Sequence, residues 1–388
     1  MKQIKKKICV VITARPSYSR IKTALIAIKS NEKLELQLIL AGSALLDRYG
    51  NASTYVQQDG FNIDEKIYMV IEGENPTSMA KTTGLGIIEL SSAFDKLQPD
   101  IVVSIADRFE TMATAIASSY MNIPLAHIQG GEVTGNIDEK VRHAITKLSD
   151  IHLVASDKAK ERVIKMGERV NTVFNCGCPS MDLAAEVLSS SELDFDPYNK
   201  YKGVGDIQDL SNGYIVVLQH PVTTEFGQSK EHIQETLEAV KDLDIPVLWF
   251  WPNVDAGSDG TSKGLRSFRE VHKPKHMHFF KNMEGKDFLK LLVNSKCLVG
   301  NSSTGIRECS FLGVPVVNIG SRQGGRDCGK NVVNVNYDRN EIRNAINDHC
   351  EREQLFKSEK IYGDGFAGEN IAAVLAEVSP SVEKKLAY

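Results

Sequence analysis

The sequence predicts an α/β protein made of two doubly wound parallel-sheet domains in series. Three observations carry that reading. The continuous apolar run at 7–14 (KICVVITA) has the pattern of a strand buried on both faces, and 34–41 is a second strand. Stretches with apolar residues at three-and-four spacing lie between those runs, so strand and helix alternate. Residues 183–211, rich in Ser, Asp, Glu, Gly and Lys, then break the alternation, which restarts at Tyr214. The expected domains are residues 1–180 and 181–365, with a last helix over 366–388 that packs back on the first.

In order, the first strand leads through RPSYSR into an amphipathic helix bearing Ile21, Leu25 and Ile28. The second strand stops at Gly42-Ser43, and 67–70 is a third. A helix over 84–97 follows, then a strand (99–107) that ends on the charge of Asp107, and a helix over 111–121. Residues 123–128 form a strand that breaks at Gly130-Gly131 and resumes as a helix from Asp138. Strands near 151–155 and 173–176 close the first half. The second half has expected strands at 214–219, 246–251, 277–280, 297–300 and 315–319. Its expected helices are 229–243, 288–294, 305–312 and 340–353, with the last helix over 368–378. Two such domains place the carboxyl ends of their strands at a cleft, where open α/β sheets bind ligands.

A net charge of −4 argues against electrostatic binding to nucleic acid or to an anionic membrane surface. Residues 2–7 are basic, but the apolar run after them is too short for a secretion signal, and no run is long enough to span a membrane. The seven scattered cysteines suit a reducing cytoplasmic compartment. Cys176-Gly-Cys178, with no second pair, is a poor zinc site.

Polar residues at strand ends are the candidates for chemistry. His127, Gln129, Glu132, Asp138 and Arg142 flank the Gly-Gly break. Asp138 either caps its helix or handles a proton with Glu132. Asp107-Arg108 ends another strand, where the Asp either caps a helix or holds a sugar hydroxyl or proton. Arg15, with Ser17 and Ser19, follows the first strand and either grips a diphosphate or lies in a surface turn. His220-Pro221 puts an imidazole at the first strand end of the second domain, as an acid/base group or a packed structural histidine. GNSSTGIRE (300–308) reads as strand, small-residue turn and helix. It either attracts an anion through Ser302 and Ser303, with Glu308 one turn on, or is a plain serine cap. Ser321 to Arg326 is a Gly-rich basic loop that either suits an anionic ligand or anchors nearby Asp and Glu. Asn253 and Asp255 are hydroxyl-binding candidates or turn residues.

Nine pieces appear in one order across residues 10 to about 335. They are TARPSYSR, GSALLDRYGN, ADRFE, HIQGGEVTGNIDEKVRHAITKLSDIH, GCPSMD, LQHPVTTE, PNVDAGS, GNSSTGIRE and SRQGGR. Together they resemble the hydrolysing UDP-N-acetylglucosamine 2-epimerases of sialic-acid-type pathways. The resemblance implies the glycosyltransferase-B architecture, two Rossmann-like domains facing a cleft, and no redox cofactor or metal. It implies that UDP leaves C1 as the C2 proton is removed, and that water adds to the resulting 2-acetamidoglycal, giving UDP and N-acetylmannosamine. It assigns phosphate and ribose contacts to Arg15, Ser302, Ser303 and Glu308, with Ser19 and Asn253 also on the nucleotide. Arg322 would order the UDP side. Asp107, Asp138 and His220 would serve as acid/base and diphosphate-facing groups, beside Gln129 and Glu132. Residues 276–282, including Phe279 and Asn282, would flank uracil largely by backbone, and Gly42, Arg108, His127 and Arg142 would support the substrate. Related enzymes often carry Glu at the position of Gln129, and an amide cannot be a general base. That departure leaves open a related substrate, UDP-N,N′-diacetylbacillosamine, or a catalytically silent UDP-sugar sensor. The partners implied are the UDP-sugar, UDP and a second copy of the chain, in a homodimer or homotetramer.

Overall fold

A computed structural model of the chain describes residues 4–47, 50–72, 75–105, 108–133, 137–252, 258–379 and 381–387, without the side chains of 137, 138, 223, 224, 226, 258 and 259. The chain forms two compact units. The first comprises residues up to Val133, Ile137–Asp182 and Tyr362 onward; the second is Leu183–Ile361.

The first unit holds seven strands: β1 (Lys6–Ile12), β2 (Leu34–Ala41), β3 (Glu65–Ile67), β4 (Ile101–Ile105), β5 (Leu125–Ile128), β6 (Ile151–Val154) and β7 (Val173–Asn175). Their order is β3-β2-β1-β4-β5-β6-β7, all parallel. This is the doubly wound order that reverses beside the first strand. β1 shows why its run from Ile8 to Ile12 is wholly apolar. Ile8, Val10 and Ile12 pack on helix Arg15–Ser30 and on the last helix, Ala367–Glu377. Cys9 and Val11 face the other way, against Leu90, Phe94, Ala113 and Ile145. The period of two therefore serves two cores, and no polar face remains.

The second unit contains β8 (Val204–Gly205), β9 (Ile215–Leu218), β10 (Val247–Phe250), β11 (Met277–Phe280), β12 (Cys297–Gly300), β13 (Val316–Ile319) and β14 (Val332–Val335). The order is β14-β13-β12-β9-β10-β11-β8. Leaving aside β8, which is antiparallel, this repeats the first unit's winding, with β9 as the first strand. Val217, Trp249 and Val299 pack under Ile233, Leu265 and Ile342 from three helices.

Several elements differ from expectation. The helix expected at 84–97 starts at Pro76, because Asn75 and Ser78 form a reciprocal cap. Residues 183–211 are not irregular throughout. They contain the end of helix Ser180–Ser189, the helical turn Pro197–Tyr201 and β8. Two residues of strand are too few to show a period; β8 is held instead by the buried His278 ring, 2.9 Å from the Lys202 carbonyl and 3.2 Å from that of Asp206. Helices Ala52–Gln58 and Ser258–His272, and strand β14, were not expected. Among the described residues, no helix is long and apolar enough to cross a membrane.

Residues near the carboxyl terminus are tied to the first unit through Glu168. Its carboxylate accepts from Lys147 Nζ (2.5 Å), lies 3.0 Å from His152 Nε2 and pairs with Lys384 Nζ at 2.7 Å. Burial pushes this carboxyl up, but hydrogen bonds from His152, Lys147 and Lys384 outweigh it and hold the pKa at about 2, against 4.5 ordinarily. Stability from this group is therefore complete above about pH 4.5 and lost as pH falls toward 2. Glu168→Gln should cost on the order of 2 kcal/mol near neutral pH, since two lysines lose their carboxylate. Urea unfolding should show the gap from the parent closing through that acid window, and equal stability at neutral pH would refute the assignment.

Candidate functional site

Each sheet reverses its strand order once: between β1 and β4 in the first unit, between β9 and β12 in the second. The crevice beyond the carboxyl ends at such a point is where an open α/β sheet takes a ligand. Arg15, Ser19, Arg108, His220, Ser302, Ser303 and Glu308 lie on the segments that leave those strand ends, and the other candidates on or after neighbouring strands.

In the first unit, β1 is followed by Thr13 and Ala14, and Arg15 opens the helix with Pro16 at its first turn. The Arg15 guanidinium lies 4.4 Å above the Tyr55 ring, a cation–π contact that fixes its direction. Gly50 makes room for it; a Cβ there would sit 2.4 Å from Arg15 Nη1. Ser19, one turn on, is exposed, with its hydroxyl 3.5 Å from the Arg15 carbonyl. Gly42 ends β2 in a left-handed conformation against Glu110. Glu110, which the sequence reading did not single out, is 1% exposed and lies 3.4 Å from Arg108 Nε. Asp107 and Asn253 lie outside the described residues, and so does the side chain of Asp138, whose backbone lies in helix Ile137–Leu148.

β5 leads into the Gly-Gly turn. Gln129 is buried, with φ +67°, a left-handed backbone that a residue with a Cβ rarely adopts. Its amide donates to Cys178 Sγ (2.9 Å), and its carbonyl oxygen accepts from Arg20 (3.2 Å). Both ends of the side chain are thus engaged. Arg142, also buried, donates to the Glu132 carbonyl at 2.8 Å and holds the turn. Glu132 is 5% exposed beside it. His127, expected to support the substrate, lies fully buried on β5, 3.2 Å from Thr146 Oγ1. It packs the strand against its helix.

In the second unit, β9 leads into Gln219-His220 and β12 into Asn301-Ser302-Ser303. Gly300 has φ +134°, and a Cβ there would fall 2.1 Å from the Leu218 carbonyl oxygen, so only glycine lets the two strand ends meet. Asn301 is fully buried. Its side chain accepts from His220 N (2.7 Å) and donates to His220 O (2.9 Å). Its own carbonyl accepts from Arg322 (3.1 Å) and Gln323 (2.8 Å). Asn301 and Gln323 were not singled out from sequence; the cue was the Gly-Asn pair at a strand end. Burial, and then the Arg322 charge, lower the His220 pKa to about 3, so the imidazole is neutral at physiological pH.

Ser302 caps its helix by accepting from Thr304 N at 3.3 Å, so the plain-cap reading holds for that hydroxyl. The helix expected over 305–312 is two short pieces, Ser303–Ile306 and Glu308–Leu312, broken at Arg307. An anion there would meet a few local N–H groups and not the summed dipole of a long helix. Glu308 Oε2 is buried without a hydrogen-bond partner among the described residues, an open acceptor for a donor hydroxyl. The Phe279 ring belongs to the core, and its backbone is laddered to Trp249 and Val204. Backbone contact with a base would come after the strand, at Lys281 and the exposed Asn282. Among the described residues, no three His, Cys, Asp or Glu side chains are grouped to hold a metal ion.

Comparison with known proteins places this geometry. The family model described as UDP-N-acetylglucosamine 2-epimerase matches residues 26–376. A UDP-N,N′-diacetylbacillosamine 2-epimerase (hydrolyzing) of Legionella pneumophila is 30% identical over 373 residues, 96% of each chain. A UDP-N-acetylglucosamine 2-epimerase of Neisseria meningitidis is 30% identical, over 89% of this chain and 88% of the relative. The structure of a UDP-GlcNAc 2-epimerase from Neisseria meningitidis bound to UDP-GlcNAc superposes with TM-score 0.77 at 18% identity, covering 96% of this chain and 100% of the other. The expected glycosyltransferase-B class is the fold of such neighbours. With a family model across most of its length and full-length relatives at this identity, the chain belongs to the UDP-N-acetylglucosamine 2-epimerase family.

Proposed function

We propose that the protein is a hydrolysing 2-epimerase of a UDP-2-acetamido sugar, converting UDP-N-acetylglucosamine and water to N-acetylmannosamine and UDP. The observation that carries this reading is the convergence on Asn301. A neutral imidazole, a guanidinium and a serine-capped turn are gathered at one strand-order reversal. A neutral His220 gives a diphosphate a hydrogen bond, and Arg322 offsets the charge that builds on UDP as its bond to C1 breaks. Glu308 Oε2 accepts a ribose hydroxyl, with Arg15, Ser19, Ser303, Asn253 and Asn282 as further nucleotide contacts.

The chemistry needs a base at C2 and an acid for the reverse face. The C2–H and C1–O bonds break as a C1–C2 double bond forms and UDP leaves. Water then adds its oxygen to C1, and a proton returns to C2 from the other face. Asp107, Glu132 and Asp138 are the carboxylates for these two proton transfers. Gln129, amidic and held at both ends, steadies the turn that carries Glu132. The word "hydrolyzing" in the names of the relatives from Legionella pneumophila and Campylobacter jejuni, both 30% identical, supports release of free sugar. Those same names favour a second reading, UDP-N,N′-diacetylbacillosamine as substrate.

Incubation with each UDP-sugar, followed by NMR of the products, tests this. The expected result is UDP and a free 2-epimerised sugar in equal amounts from one of them. A nucleotide-linked epimer would mean a non-hydrolysing enzyme, and binding without turnover would mean a sensor. Asp138→Asn and His220→Ala should each lower kcat by on the order of a hundredfold while leaving the thermal melt intact. Near-normal steady-state rates in either would remove that residue from the mechanism.

A further inference from the structure

We propose that Asn301 is the positioning residue of the second unit's anion site, holding His220 with its side chain and the 321–323 loop with its carbonyl so that imidazole and guanidinium address one ligand. This deepens the reading above and rests on it for the identity of the ligand. The geometry itself does not. His220 and Asn301 are 81 positions apart, yet the Asn301 amide closes a two-bond ring on the His220 backbone, at 2.7 and 2.9 Å. Only a carboxamide offers a donor and an acceptor at that reach; aspartate would set its second oxygen against the His220 carbonyl, and leucine would leave both groups bare. With no exposed surface at Asn301, a longer glutamine has no space. The Asn301 backbone is fixed in turn, its N–H 3.3 Å from the Leu218 carbonyl and its own carbonyl shared by Arg322 and Gln323. One residue thereby links the ends of β9 and β12 to the loop after β13.

Breaking the clasp strands a buried N–H and C=O at His220 and lets that segment move. The burial that keeps the ring neutral is then lost, while Arg322, the charged group facing it, keeps its bond to the main-chain carbonyl of residue 301. Asn301→Ala is compared with the parent by three measurements. In the parent, the His220 ring signals should stay flat from about pH 5 to 8; in the variant they should titrate within that range. UDP affinity by calorimetry should fall roughly tenfold. The loss of kcat caused by Asn301→Ala should shrink to within about twofold in a His220→Ala background, because the two residues act as one. If Asn301→Ala does not fold, Asn301→Asp keeps the acceptor for His220 N and should give the same three results. A folded variant whose His220 titration and UDP affinity match the parent overturns the proposal. If the parent turns over neither sugar while the titration and affinity change as stated, the positioning role stands and the substrate reading falls.

Discussion

The second unit depends on a hydrogen-bonded ring between Asn301 and the backbone of His220. Two parallel strands that diverge at a reversal of order leave backbone groups without a ladder partner, and a buried orphan of that kind is costly. Asn301 satisfies two of them with one side chain, and Gly300 allows the approach by having no Cβ. The same contact fixes the direction in which the imidazole leaves the strand. Burial, and then the nearby Arg322 charge, keep the His220 imidazole neutral.

The first unit solves the same topological problem differently. Its reversal lies between β1 and β4, and the groups there are directed by an aromatic face and a buried carboxylate. Tyr55 lies under Arg15, and Glu110 lies beside Arg108. Beyond β5, Arg142 and the two-ended engagement of Gln129 hold a turn that the backbone alone would not. Gln129 adopts a left-handed conformation there, and strain of that kind persists only where the surroundings fix it. In this chain the position holds a neutral residue with a packing role.

Much of this was legible in the sequence because burial on both faces leaves a plain mark. Both doubly wound sheets were readable from apolar runs such as Lys6–Ile12 and Cys297–Gly300 and the helices between them. Placing His220, Ser302 and Arg15 at strand ends required only those runs. What could not be read depends on contacts distant in sequence. β8 exists because His278 reaches Lys202 and Asp206. The break at Arg307 has no local signal in STGIREC. Asn301 reads as one more polar turn residue until the strand order places it against His220. His127 is a candidate from its place before the Gly-Gly break, and the packing that buries its ring beside Thr146 is not visible in the sequence. Phe279 lies on the laddered, core-facing part of its segment, which an apolar run alone does not reveal.

The account as a whole requires that C2 of the sugar lose its proton and gain another from solvent before the free sugar is released. Turnover in deuterium oxide with NMR of the product reads this directly. One deuterium at C2 of the released sugar, with its configuration inverted, is the predicted result. A released sugar that retains its original hydrogen at C2 would contradict the elimination–hydration chemistry and the proton-handling role assigned to the first unit.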